Sequence, residues 1–265
     1  MFEFLSYEFM QNAIFGAILI SIACGIIGTL SVINKMSFIA GGVAHGSYGG
    51  IGIAFFLGLA PLQSAGVFAI ILGLIIAFVS LKNQERTDSV IGAIWAFGMA
   101  VGIIFIDLSP GYSGDLMSYL FGSILAVSSS DLVFISLIDL IFIIFAVLFY
   151  AQICAVSFDS EFATLRGVRV KFLYYAMTTL IALCVVISIE IVGLILVIAL
   201  LTIPPFIAEK FSPNLAVMMI LSSIIAAIFC VSGLAASYKF NLSSGAAIIL
   251  IATICFFGLN LIKSK

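Results

Sequence analysis

Charge is what this sequence has least of. Its 265 residues include 10 Lys and Arg and 12 Asp and Glu, or 8% charged, against about 25% in an ordinary soluble domain. With 64% hydrophobic residues and a mean hydropathy of +1.38, a water-soluble fold would lack the polar surface it must show to solvent. A soluble globular domain is excluded, and a polytopic membrane protein remains. The net charge of −2 and the lack of any basic run exclude a nucleic-acid partner. Cys24, Cys154, Cys184, Cys230 and Cys255 have no paired spacing, so neither a disulfide framework nor a CxxC metal site is expected, and they read as small buried hydrophobes. The first eleven residues, MFEFLSYEFMQ, hold no Lys or Arg, which argues against a cleaved signal peptide. No GxxxxGK[ST] phosphate loop is present. If the protein uses ATP, another subunit binds it.

What the sequence has in abundance is long apolar runs. About 20 such residues cross the hydrocarbon core as a helix. Charges and turn residues divide the chain into candidate spans at 12–33, 37–59, 62–81, 89–107, 132–153, 172–189, 190–208, 214–237 and 243–262. The expected fold is therefore all-α, a transmembrane helical bundle of about 8–9 helices forming one domain over 1–265. The stretch 116–127 is too short to cross and is expected to be a re-entrant or surface helix. Between 172 and 208 no obvious turn stands out except near Glu190 and Gly193, so a broken helix is an alternative to two crossings. Bases favour cytoplasmic loops. With nine crossings and the N-terminus outside, every Lys and Arg except Lys239 lies inside. A single crossing over 172–208 would instead leave seven inside and three outside. The C-terminus is thus expected in the cytoplasm.

Two regions could carry chemistry. The run 37–59 holds Gly41, Gly42, Gly46, Gly49, Gly50, Gly52 and Gly58 together with His45, the chain's one histidine. Ser37, Gly41, His45 and Gly49 recur every four residues and share a helix face. Glycines there permit close approach of another helix or of a permeant species. An imidazole among them can bind a transition metal, relay a proton, or simply hydrogen-bond a neighbouring carbonyl. Ionisable groups inside a bilayer are costly and so are functional candidates. Glu190 and Asp139 qualify, whereas Asp107, Asp115 and Asp131 fall at helix ends. The second region is 157–171, SFDSEFATLRGVRVK, the longest polar stretch. It can form a short amphipathic helix in which Phe158, Phe162 and Leu165 seat in a partner's groove while Asp159, Glu161 and Arg166 set the register, or it can lie as a basic anchor at the lipid headgroups. Two protease-like patterns fail. Gly111-Tyr112-Ser113-Gly114 has its histidine upstream, in the wrong order, and Gly114-Asp115 lacks the preceding glycine.

Several segments together resemble the permease family of ABC importers for zinc, manganese and iron. They are Met36–Gly46 (MSFIAGGVAHG), Thr87–Gly92 (TDSVIG), Asp115–Leu125 (DLMSYLFGSIL), Phe158–Gly167 (FDSEFATLRG) and Val192–Pro204 (VGLILVIALLTIP). The resemblance runs over nearly the whole chain. It implies a homodimeric permease in a prokaryotic cytoplasmic membrane, working with cytosolic ATP-binding cassette subunits and an extracytoplasmic metal-binding protein, and having no enzymatic site or bound cofactor of its own. It further implies that His45 belongs to the metal pathway, on a pore-lining helix with Ser37, Gly41, Gly42 and Gly49. The ATPase-coupling element would comprise Phe158, Asp159, Glu161, Phe162, Leu165, Arg166 and Gly167. Many relatives carry an aspartate one turn before the histidine, where this chain has Gly41. Glu190 is the candidate replacement. An imidazole with few oxygen ligands suits zinc better than manganese, so zinc is the expected cargo, with manganese or iron as alternatives. An ATP-independent secondary cation transporter is the weaker reading.

Overall fold

The structure is a computed structural model and describes residues 8–82, 86–109, 122, 124 and 127–262, without the side chains of 62, 190 and 260–262. The described elements are all helical: α1 (Glu8–Ile33), α2 (Ser37–Gly46), α3 (Tyr48–Leu57), α4 (Pro61–Lys82), α5 (Thr87–Asp107), α6 (Ser129–Leu148), α7 (Tyr150–Phe158), α8 (Ser160–Leu165), α9 (Val170–Glu209), α10 (Leu215–Phe240) and α11 (Ser244–Ile262). Among the described residues, seven helical stretches are long and apolar enough to cross a membrane. The expected spans at 12–33, 62–81, 89–107, 132–153, 172–189, 190–208 and 214–237 each correspond to one of these. The last expected span, 243–262, is α11. The expected surface helix at 116–127 falls almost wholly outside the described residues.

The run 37–59 is not one long helix. It is two ten-residue helices, α2 and α3. They meet at Ser47, which keeps right-handed helical angles (φ −63°, ψ −15°), while its hydroxyl donates to the Ala44 carbonyl at 2.7 Å. A serine bonding back into the preceding turn competes with the backbone ladder and locally disturbs it. Gly58, at φ 67°, ends α3 in the left-handed cap that glycine adopts without strain.

The 172–208 run settles as a continuous helical stretch interrupted at Gly193, whose φ of 78° and ψ of 163° lie outside any helix. That combination is essentially confined to glycine. The candidate crossings of this run are Val170–Ile189 and Ile191–Glu209, and the break at Gly193 falls near the start of the second. A side chain on Gly122 would come within 2.8 Å of the Gly193 Cα, so the break is closely backed by a second glycine.

The chain forms two compact units. One comprises Met1–Val32, Met117–Ala146 and Ile187–Lys265. Its core is built on α1, where small residues admit neighbours. A Cβ on Gly25 would lie 2.5 Å from the Ser223 backbone nitrogen, and one on Gly28 would lie 2.7 Å from the Leu201 carbonyl oxygen. In a bilayer, lipid tails are as apolar as leucine, so such close packing rather than hydrophobic burial holds helices together. The other unit comprises Ile33–Leu116 and Val147–Val186 and carries both candidate functional regions.

Candidate functional site

The second unit is organised around glycines on α2 and α3. A Cβ on Gly42 would run into Ile91, one on Gly46 would lie 2.5 Å from Leu72 Cδ1, and one on Gly49 would lie 2.9 Å from the Gly98 carbonyl oxygen. From the opposite side, a Cβ on Gly98 would sit 2.5 Å from the Gly46 Cα, and one on Gly102 would meet the Tyr48 carbonyl oxygen at 2.6 Å. Gly46 thus faces Gly98, and Gly52 faces Gly102. The two segments touch backbone to backbone, as small residues allow. Of the four residues expected on a pore-lining helix, Gly42 and Gly49 serve this packing. Gly41 is buried, and Ser37 is half-buried at the start of α2.

His45 stands inside the same contact. Its half-buried ring lies parallel to that of Trp95 on α5, with centroids 4.1 Å apart and planes at 6°. The indole is anchored in turn, its Nε1–H donating to Met99 Sδ one turn along at 3.0 Å. Neither ring nitrogen of His45 has a hydrogen bond among the described residues. Trp95 is the residue that sequence reasoning passed over. The available signal was that this is the chain's single tryptophan.

Among the described residues, no three His, Cys, Asp or Glu side chains gather as a metal-binding group. Glu190 lies on α9, three residues before the Gly193 break, and its side chain is outside the described residues. Asp139, on α6 in the first unit, is 3% exposed. Neither of its carboxyl oxygens has a hydrogen-bond partner among the described residues. Asp115 and the Gly111–Gly114 pattern lie outside the described residues.

The polar stretch 157–171 is a capped helical loop. Asp159 closes α7 and opens α8, its Oδ1 accepting from the Glu161 and Phe162 backbone N–H groups at 2.9 and 3.0 Å. This N-cap satisfies donors a short helix cannot satisfy itself. At the other end Gly167, at φ 82°, supports a Schellman motif: its N–H donates to the Thr164 carbonyl and that of Val168 to the Ala163 carbonyl, each at 3.0 Å. Capped at both ends, the six-residue helix holds apolar side chains outward. Phe158 is 94% exposed and Leu165 87%, with Phe162 half-covered beneath the Arg166 guanidinium, 5.1 Å from its ring centroid. Glu161 and Arg166 are exposed. Ser157 donates its hydroxyl proton to Asn34 Oδ1 at 3.1 Å, joining the loop to the segment that leads into α2.

The model of the ABC 3 transport family matches residues 6–263. An uncharacterized membrane protein of Synechocystis is 48% identical over 256 residues, 97% of this chain and 91% of that protein. The manganese transport system membrane protein MntC of Listeria monocytogenes is 36% identical over 253 residues, 96% of this chain and 90% of its own length. Among solved structures, PsaBC from Streptococcus pneumoniae in complex with Fab aligns with a TM-score of 0.84 at 32% identity, covering 96% of this chain and 91% of that one. A match that spans the bundle from α1 to α11 is a match of the whole fold. The chain belongs to the ABC 3 transport family.

Proposed function

We propose that this chain is the membrane-spanning permease subunit of an ATP-driven importer that moves a divalent first-row metal into the cytoplasm of a prokaryote. The observation that carries the reading is the capped loop around α8, in a chain of this family that has no phosphate loop. Phe158 and Leu165 are held out of the fold at 94% and 87% exposure in the chain's longest polar stretch, as a helix bound for a partner's groove requires. The partner is a cytosolic ATP-binding cassette subunit. Metal is delivered by an extracytoplasmic binding protein, and two copies of the chain form the pore. The N-terminus faces outward and the C-terminus faces the cytoplasm. His45 is the pathway ligand in this chain, with Glu190 as a second donor. ATP-driven movement of the α8 loop passes to α2 through Ser157 and Asn34.

Manganese is the first assignment of cargo, supported by the names of relatives such as MntC of Listeria monocytogenes. Zinc is the second reading, favoured by the donors of this chain. An imidazole with no carboxylate one turn away, where Gly41 stands, suits zinc better than the oxygen-seeking manganese ion.

The test is cellular metal content, measured by mass spectrometry under manganese or zinc starvation. A deletion strain would be complemented with wild type, His45→Ala, or Glu161→Ala/Arg166→Ala. Wild type should restore one metal, and both variants should fail at normal membrane levels. Whichever metal falls on deletion names the cargo. If no metal changes, the importer reading is wrong and an ATP-independent cation transporter replaces it.

A further inference from the structure

We infer that Trp95 is a positioning residue for His45, a platform that sets the plane in which its ring nitrogens meet the transported metal. The inference rests on the proposed role of His45. A ligating imidazole ordinarily has its plane fixed by a hydrogen bond from its second nitrogen to a carboxylate or carbonyl. His45 has no such bond among the described residues. What holds it is its face, against an indole 4.1 Å away and 6° from parallel. The platform is itself fixed, by the Nε1–H bond to Met99 and by the glycine contacts on either side. Ile91 occupies the space at Gly42, and Gly98 packs on Gly46. Without those glycines the helices could not come close enough for the rings to stack.

The consequence is chemical. With one face covered and neither nitrogen hydrogen-bonded among the described residues, His45 can present a lone pair in a fixed plane and keep its second N–H for another partner. A metal ion withdraws electron density from the bound imidazole. The electron-rich face of tryptophan, the best of the aromatic faces for a cation, then favours the loaded ring over the empty one. Removing that face while leaving the fold should weaken metal capture rather than abolish turnover.

Two measurements test this. In cells carrying the complete transporter, Trp95→Leu should raise the KM for metal uptake roughly three- to thirtyfold with Vmax held, while Trp95→Phe, which keeps an aromatic face, stays within about twofold. In the purified full-length chain in detergent, the one tryptophan makes intrinsic fluorescence a report on Trp95 alone. Added MnCl2 or ZnCl2 should change its emission in wild type and leave it unchanged in His45→Ala. Normal uptake by Trp95→Leu, or equal loss in both Trp95 variants at normal membrane levels, overturns the inference. So does an emission that ignores saturating metal in a chain whose uptake needs His45. If His45→Ala itself transports normally, the assigned pathway fails instead. Should Trp95→Leu fail to reach the membrane, the fluorescence measurement decides.

Discussion

The glycine contact between α2–α3 and α5 supplies an internal control in the form of two glycines on one helix. At Gly98 a Cβ would lie 2.5 Å from the Gly46 Cα and 2.8 Å from its carbonyl carbon, where ordinary carbon contacts are about 3.5–4.0 Å. Both obstacles are backbone atoms and cannot rotate aside, so in Gly98→Ala the helices must part by roughly 1 Å. A gap of that size forfeits about a quarter to a half of the dispersion energy across the contact. It also draws Trp95 away from His45. Overpacking of this kind costs about 1–3 kcal/mol, offset by the roughly 0.5–1 kcal/mol that alanine gains over glycine within a helix. At Gly92 nothing among the described residues lies within 4 Å of the added carbon, so Gly92→Ala keeps the gain and meets no obstacle. The same chemical change on the same helix should therefore shift stability in opposite directions. At about 2–4 °C per kcal/mol for a chain near this size, Gly98→Ala should lower the melting temperature by up to about ten degrees, and Gly92→Ala should raise it by up to about four. Thermal unfolding of the purified chain in mild detergent can be followed with a thiol-reactive dye, because Cys24, Cys184 and Cys230 are buried and react only on opening. Equal shifts of one sign in the two variants would refute the backbone contact as the reason Gly98 is glycine.

Two further outcomes follow from the backbone and the surface. Gly193→Ala must hold a side chain at φ 78° and ψ 163°, a cost of about 1–3 kcal/mol. It should melt lower than wild type in the same dye assay, and an unchanged melting temperature would show that the α9 break does not need those angles. Phe158→Ser combined with Leu165→Ser removes two exposed apolar groups and should leave the stability of the isolated chain within about 0.5 kcal/mol of wild type. Co-purification with the ATPase subunit should fall. Retention of that partner by the double variant would remove α8 as the docking element.

The seven long spans were legible because each is a run of apolar residues ended by charges or turn residues, and bilayer thickness turns run length directly into a crossing. The break near Gly193 was legible as a location but not as a conformation. One glycine in an apolar run can continue a helix or end it, and what closes against this one is Gly122, distant in the chain and set in its own left-handed conformation. The α8 loop was legible as a short amphipathic helix, while the caps that Asp159 and Gly167 supply went unread although capping is local chemistry. Asp159 and Gly167 act on backbone groups within five residues of themselves, so their effect can be read without knowing what packs nearby. The glycines of 37–59 are the opposite case. Their spacing revealed a face but not its occupant, and a pathway or a helix would call for the same residues. The occupant at Gly42, Gly46, Gly49 and Gly52 is a matching surface on α5 and α4, and the glycines of α5 count for nothing until the two helices are known to face each other. Trp95 was missed for that reason. A stacked ring pair between helices is a property of two sequence segments and the angle between them, and only the first half of it can be written along one chain.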